Sequence, residues 1–484
     1  MKLKPIYFVI LLFLFSLGFR LYFSLNSEYF YGADSYFHIR IIDNFIENDN
    51  VMTYDGLGFS GKNFNYPQLF HFLTSLFLFI PYYLKIIPAL MISSLILIIY
   101  FLTRELTKNE IAAIFSSFLA AFLPTEIKLT LNQINPYHLI LPLIFLMFYC
   151  FLKIDNKKFF YLFLALAFLM PLIHPISLLF AFGLIFYMLL LNIDELSVDR
   201  KKKELIIFTF FLISFVNIII YRKAFLFHGF NFPFKSFIIE SNTAFLANFN
   251  IFTSIFYLSM LVFILGILGL FFGYFREKND FVIMLSGFIV ATLITAFMKL
   301  IDINILLLLL SLIFAVLSSL SIKRFFDYLR ITKISSLGNY FILLFVVLTL
   351  LLSFYPSFVI AKSFSIDDKA LSDLAWLRDN SDKNSVILAG IDDGYYVTGL
   401  AKRKNVLDHN ILLAPDYEQR VKDVEVIYVT WSEAVAFDLI KKYNINYIYF
   451  SDKTKDKYAI RRILYIKDER CFEKERETIY KVVC

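Results

Sequence analysis

Long uninterrupted runs of apolar side chains recur along the 484-residue chain, for example at 6–18, 91–102, 139–152 and 341–353. Runs approaching 18 residues have one common home. About 20 helical residues rising 1.5 Å each cross the roughly 30 Å of hydrocarbon in a bilayer. Composition supports this: 59% of residues are hydrophobic, 18% are charged, and there are 60 Phe and 30 Tyr. Soluble domains run about 45–50% apolar and about 25% charged. The fold class read from the chain is an α-helical polytopic membrane protein. Intrinsic disorder, a disulfide-stapled secreted scaffold and a soluble enzyme are excluded.

The pattern predicts about 11 spans, near 5–24, 86–103, 110–128, 137–153, 159–175, 176–192, 204–221, 251–275, 281–298, 303–321 and 340–362. These form a membrane domain over 1–362, with outer loops at 25–85 and 222–250. No small-residue cleavage site comes after the first run, so it is read as a retained span. The stretch 66–82 is ambiguous, and charge settles it. With Met1 inside and 66–82 not crossing, 17 of the 27 Lys and Arg of 1–362 fall in short inner connections. If 66–82 crosses, only 9 do. Basic residues favour the cytoplasmic side, so 66–82 is expected to be a re-entrant or interfacial helix on the outer face. The expected localisation is the cell membrane, with the N-terminus cytoplasmic and the C-terminal domain outside. All six His (His38, His71, His138, His174, His228 and His409) then lie on the outer side. The net charge of +7 is an orientation signal, not a nucleic-acid footprint, because residues 363–484 carry 20 basic against 21 acidic side chains.

Residues 363–484 have mixed charge and short β runs, and read as a small outer α/β domain. A helix is expected at 366–380 and 434–443, and strands at 386–389, 426–429, 447–450, 463–468 and 478–483. The last two strands would bring Cys471 and Cys484 close, leaving a disulfide open there, while Cys150 reads as a buried small hydrophobe. No phosphate-binding Gly-rich loop occurs, so nucleotide use is not supported.

Several constellations carry chemistry. In Gly32-Ala33-Asp34-Ser35-Tyr36-Phe37-His38-Ile39-Arg40, Asp34 and His38 share a face if helical. A carboxylate at the membrane surface backed by His38 and Arg40 suits a base or metal ligand acting on a lipid phosphate. Asp34 equally suits a helix cap. Asn135 and His138, in Asn132-Gln133-Ile134-Asn135-Pro136-Tyr137-His138, suit sugar hydroxyls or a polar cap. His174, before Pro175, suits a phosphate or a backbone carbonyl. The loop 222–250 carries Arg222, Lys223, His228, Lys235 and Glu240, with six alternating Phe from 225 to 237. Its basic residues suit a pyrophosphate-linked lipid.

Taken together, these residues resemble the GT-C class of polytopic membrane glycosyltransferases, and within it the catalytic subunit of archaeal and bacterial oligosaccharyltransferase. Asp34-Ser35-Tyr36-Phe37-His38-Ile39-Arg40 is similar to the family's first-loop Asp-Pro-Tyr-Tyr-His-Tyr-Arg motif. Ile238-Ile239-Glu240-Ser241 resembles its outer-loop motif ending in Glu. Gly390-Ile391-Asp392-Asp393-Gly394-Tyr395-Tyr396 stands where the family has Trp-Trp-Asp-Tyr-Gly-Tyr-Trp. Ala401-Lys402-Arg403 and Val406-Leu407-Asp408-His409-Asn410 are similar to the family's continuation of that motif. The resemblance implies transfer of a sugar or glycan from a polyprenyl-phosphate donor on the outer face. It implies Asp34, His38 and Glu240 as catalytic groups, with Arg40, His174, Arg222, Lys223, His228, Asn135 and His138 binding substrate. It also implies a divalent metal, Mg or Mn, on Asp34. The family's second acidic motif falls on Asn135-Pro136-Tyr137, which holds no carboxylate, and its Trp-Trp pair falls on Gly390-Ile391. Asp34 with His38, Tyr66-Pro67 and His174-Pro175 also resemble marks of a looser archaeal group of GT-C-like membrane proteins. The membrane lipid, the lipid-linked sugar and an unspecified acceptor are the expected partners, and nucleic acid is not. An inactive GT-C-like scaffold and a lipid-linked sugar flippase are the alternatives.

Overall fold

The computed structural model describes residues 4–58, 60–196, 199–229, 232, 250–333, 335–364, 368–466 and 471–484. The chain divides into two compact units. One comprises Met1–Ser27, Phe77–Ile220 and Ser241–Phe364, and the other Glu28–Leu76, Tyr221–Glu240 and Ser365–Cys484.

The first unit is helical, with a helix at each of the eleven expected positions. Among the described residues six are long and apolar enough to cross a membrane, or up to eight if each of two bent pairs is one span. The expected count of about eleven is not confirmed by these helices. Tyr137–Leu152, Lys157–Ile173 and Ser177–Ile193 have 16, 17 and 17 residues. At 1.5 Å per residue these are about 24–26 Å long, short of the hydrocarbon thickness. Glu110–Ala121 breaks before Pro124–Thr130 with a 46° bend, at a proline that cannot continue the hydrogen-bond ladder. Ser259, at φ 64°, marks a second break with an 83° bend. Asn109, Asn156, Asn250, Asn279 and Asp302 each cap the next helix by accepting a backbone N–H.

Helix Ile303–Arg330 forms the centre of this unit, buried on every side from Leu306 to Ile322. Ser177–Ile193 and Asp280–Phe297 approach so closely that a Cβ on Gly287 would lie 2.5 Å from the Tyr187 backbone nitrogen. Small residues at such crossings let helix backbones meet, which is how membrane helices gain packing. Pro5–Leu25 exposes Leu11, Leu14, Phe15 and Tyr22 but buries Arg20, which forms an ion pair with Glu126 and donates to Thr130 Oγ1 at 2.9 Å. A charge inside an apolar span needs such a partner.

In the second unit, helix Ala33–Asn48 is followed by a hairpin of β1 (Tyr54–Asp55) and β2 (Lys62–Asn63) and a seven-residue helix Leu69–Ser75. That helix is too short to cross a bilayer. A five-stranded sheet comes next, ordered β4-β3-β5-β7-β6. β3 (Val386–Leu388) pairs in parallel with β4 (Lys404–Asn405) and with β5 (Ile445–Tyr449). β6 (Phe472–Lys474) and β7 (Ile479–Val482) complete it antiparallel. Helices Asp368–Asn380 and Glu433–Lys442 lie where expected. The expected strand at 426–429 is instead the end of helix Tyr417–Val429. Its buried Arg420, Asp423, Val424, Ile427 and Tyr428 recur at helical spacing, which outweighs the β-branched composition. No strand forms at 463–466; β6 begins after Cys471. Cys471 and Cys484 form a disulfide across the β6–β7 edge, and Cys150 is free and buried.

Candidate functional site

Helix Ala33–Asn48 starts at Gly32, whose φ of 80° suits glycine. Gly32 is the cap, and Asp34 lies within the first turn, where a negative charge is favoured by the helix dipole. Asp34 is thus not the capping residue. The next residues, Ser35, Tyr36, Phe37 and His38, are buried. They carry the first-loop motif onto the tail motif in the same unit. Tyr36 meets Tyr396 with ring centroids 5.2 Å apart, and Phe37 meets Tyr395 at 4.7 Å. A Cβ on Gly399 would lie 2.6 Å from Tyr36 Cβ, so the helix turn after Tyr396 tolerates only glycine there.

This packing places Asp34 in a charged cluster. Its side chain is open to solvent, and it makes no hydrogen bond or ion pair with a described residue. Desolvation by the protein around it still raises its pKa above the ordinary 3.8, against the lowering influence of His409 and Lys453 and with a smaller push from Asp392. Asp392 accepts from His409 Nε2 at 3.1 Å and from Lys457 Nζ at 2.9 Å. Burial pushes Asp392 up, but these two donors outweigh it and hold its carboxyl well below the usual range. Its neighbour Asp393 is buried and accepts from Ser451 and from Thr454 Oγ1, which fixes the loop 390–394 against helix Asp452–Lys457. On that helix Lys455 pairs with Asp452 at 2.6 Å and Lys457 with Asp392. Lys453 instead lies 4.9 Å over the Tyr396 ring.

The other expected site residues take different positions. His38 Nδ1 and His71 Nε2 are 2.8 Å apart, one donating to the other, with both side chains buried. Arg40 forms an ion pair with Asp55, which also faces Lys62 at 3.7 Å; Lys62 in turn holds Asp408 at 2.6 and 2.7 Å. Arg40 is thus engaged in a buried chain of charges. In the first unit, His138 has its two ring nitrogens 2.9 Å from the carbonyls of Asn135 and Thr130. Asn135 donates to Leu129 and accepts from the Tyr137 amide. Both hold their own loop together. His174 Nδ1 accepts from the Ile176 amide at 3.1 Å, which leaves the ring proton on Nε2. Arg222 is exposed on helix Arg222–His228, where Lys223 donates to Asn63 at 3.1 Å and His228 to the Leu412 carbonyl at 2.7 Å. Glu240, Lys235 and the 238–241 motif lie outside the described residues.

Among the described residues no group of three or more His, Cys, Asp or Glu is placed to hold a divalent metal. The carboxylate nearest in influence, Asp392, is already taken by His409 and Lys457. Lys453 and Lys457 were not legible as site residues, and Tyr396 was read only as the end of the 390–396 motif. Lys453 and Lys457 lie four apart on one helical face, inside a run, Asp452-Lys453-Thr454-Lys455-Asp456-Lys457, that reads as a solvated charged turn.

No known protein family and no curated protein matches the sequence. Solved structures do. The Archaeoglobus fulgidus oligosaccharyltransferase tethered to an acceptor peptide containing the NVT sequon aligns with a TM-score of 0.72 and 14% identity, covering 93% of this chain and 70% of that one. The same enzyme with Zn and sulfate gives 0.68 and 15%, covering 95% and 71%. Its complex with an inhibitory peptide and a dolichol-phosphate gives 0.68 and 14%, covering 91% and 69%. With its several apolar helices and small sheet-containing unit, this membrane protein has the GT-C-like fold of archaeal oligosaccharyltransferase.

Proposed function

We propose that the protein is a membrane glycosyltransferase that transfers a sugar or glycan from a polyprenyl-phosphate donor on the outer face of the cell membrane. Its N-terminus would be cytoplasmic and the tail outside. One observation carries this reading: the first-loop helix and the 390–396 segment pack together through Tyr36 on Tyr396 and Phe37 on Tyr395, with the open carboxylate of Asp34 under the electrostatic influence of His409 and Lys453. Asp34 takes a proton from the acceptor nucleophile as that nucleophile attacks the anomeric carbon of the sugar. The bond from this carbon to the phosphate oxygen breaks, and the lipid phosphate leaves with the electron pair. Positive charge near the leaving group stabilises the charge that develops there, and Arg222 and Lys223 are the further candidates to meet the lipid phosphate. A carboxylate base contributes about 10²–10⁴-fold when its proton-accepting oxygen is positioned.

The dolichol-phosphate and acceptor peptide seen with the archaeal enzyme support a lipid-linked donor and leave a peptide as one acceptor class. The test is incubation of the purified full chain with a polyprenyl-phosphate sugar. Release of the lipid phosphate, dependent on an added acceptor, is expected. Intact donor after prolonged incubation across hydroxyl, amine and peptide acceptors would reject transfer.

A further inference from the structure

Helix Arg222–His228 has two dissimilar faces. Tyr221, Ala224, Phe225 and His228 recur at helical spacing and meet protein. Ala224 is buried, and the rings of Tyr221 and Phe225 each lie 5.7 Å from that of Phe232. His228 donates to the Leu412 carbonyl at 2.7 Å and has its ring 5.5 Å from that of Tyr417. Lys223 donates to Asn63. These contacts moor the helix to its own unit. Arg222, Leu226 and Phe227 are left outside them. Leu226 is 86% and Phe227 61% exposed. A single exposed leucine needs no explanation. Two adjacent large apolar side chains one turn from an exposed arginine make an amphipathic surface of the kind that lies on a bilayer. Chain position supplies the occupant. Helix Arg200–Ile220 is long and apolar enough to cross a membrane, and it ends two residues before Arg222. Its uncharged stretch 205–220 rises about 24 Å, less than the roughly 30 Å of hydrocarbon. The residues that follow therefore start at the edge of the hydrocarbon. Leu226 lies six residues past Ile220, about 9 Å of helical rise, and the headgroup layer adds about 5–7 Å on each side. That layer is within reach of Leu226 and Phe227.

We propose that helix Arg222–His228 is a membrane-surface foot of its unit: Leu226 and Phe227 rest at the boundary between acyl chains and headgroups, and Arg222, on the face of Leu226, meets lipid phosphates. The partner is the bilayer surface itself. Apolar area removed from water favours the contact, and the arginine stem lies along it while the guanidinium stays in the headgroup layer. Because His228 and Lys223 tie the helix to Leu412 and Asn63, the foot holds this unit at the membrane surface. The proposal holds for either orientation of the chain and does not depend on sugar transfer.

Depth-dependent fluorescence quenching tests this. The two native tryptophans, Trp376 and Trp431, are replaced by phenylalanine to give a silent background. Into it go Phe227→Trp, Leu226→Trp as a second reading of the same face, and Lys383→Trp as a control at an exposed tail position. The full chains are reconstituted in phosphatidylcholine vesicles, and unfolding midpoints equal to that of the background certify their fold. The quenchers are a lipid with a nitroxide on its headgroup, a lipid brominated near its chain ends, and aqueous iodide. Phe227→Trp and Leu226→Trp are expected to be quenched by the headgroup nitroxide at least about twofold more than Lys383→Trp, and by iodide about twofold less. Iodide quenching at the level of Lys383→Trp, with none from either lipid, would overturn the contact. Stronger quenching by the chain-end bromines than by the headgroup nitroxide would place the side chains in the hydrocarbon and overturn the boundary position. Protection from all three quenchers would show the face covered by protein, another part of this chain or a second copy, and would also overturn the proposal.

Discussion

Asp34 and Asp55 are carboxylates in one unit with opposite fates. Desolvation dominates at Asp34 and raises its pKa. Desolvation is also the largest influence on Asp55, but Arg40 and Lys62 together outweigh it and lower its pKa. A carboxyl lowered by folding contributes stability above its unfolded pKa, and this is lost as pH falls through the folded value. The unfolding midpoint should therefore fall as pH drops below about 4, and Asp55→Asn should flatten that acid limb; an unchanged limb contradicts the assignment. Lys62→Ala leaves Asp408 buried without its partner and should cost about 3–5 kcal/mol. Exposed Lys223→Ala should shift stability by less than about 0.5 kcal/mol, both read from thermal or denaturant unfolding. At this scale the sequence singled out Asp34 as a candidate, because its motif is compact and local. It did not reveal that Arg40 is engaged by Asp55, or that Lys453 stands over Tyr396, because both depend on partners far along the chain. Arg20 is a lone charge in an apolar run, and its pairing with Glu126 is a packing fact.

Among the elements, helices announced themselves through long apolar runs, though Ile303–Arg330 runs nine residues beyond the expected end at 321. Whether each one crosses a membrane was not legible, since that depends on unbroken helix length, and Pro124 and Ser259 divide two of them. Val426, Ile427, Tyr428 and Val429 mimic a strand by composition, and only the helical spacing of Arg420, Asp423, Val424 and Ile427 corrects this. The hairpin β6–β7 is closed by Cys471–Cys484, and the Val483 amide donates to the Cys471 carbonyl at 3.0 Å. A disulfide closing a loop of this size restricts the unfolded chain by roughly 3 kcal/mol. Replacing both cysteines with serine should lower the stability of this unit by about 2–3 kcal/mol, measured as a lower unfolding midpoint matching that of the reduced wild type. Gly399→Ala drives a methyl into Tyr36. An overpacked contact of this kind costs about 1–3 kcal/mol, and sugar transfer should fall along with the unfolding midpoint.

For the molecule as a whole, the charge distribution predicts an orientation that labelling can test. A cysteine replacing exposed Lys383 should react with a membrane-impermeant maleimide on intact cells. One replacing exposed Lys201 should react only after permeabilisation. The reverse pattern would invert the proposed topology. Composition made the membrane character legible. It did not show that 28–76 and 221–240 gather with the tail into one unit, because that assembly is made by Tyr36 on Tyr396, Lys62 on Asp408 and His228 on Leu412, pairs with no local signature.

The most direct measurement compares wild type and Asp34→Asn, an isosteric change that keeps the side chain's shape, in one assay of polyprenyl-phosphate sugar consumption. If Asp34 is the base, the variant should lose at least about 100-fold in rate with an unfolding midpoint equal to wild type. Transfer at the wild-type rate by the folded variant would contradict the account.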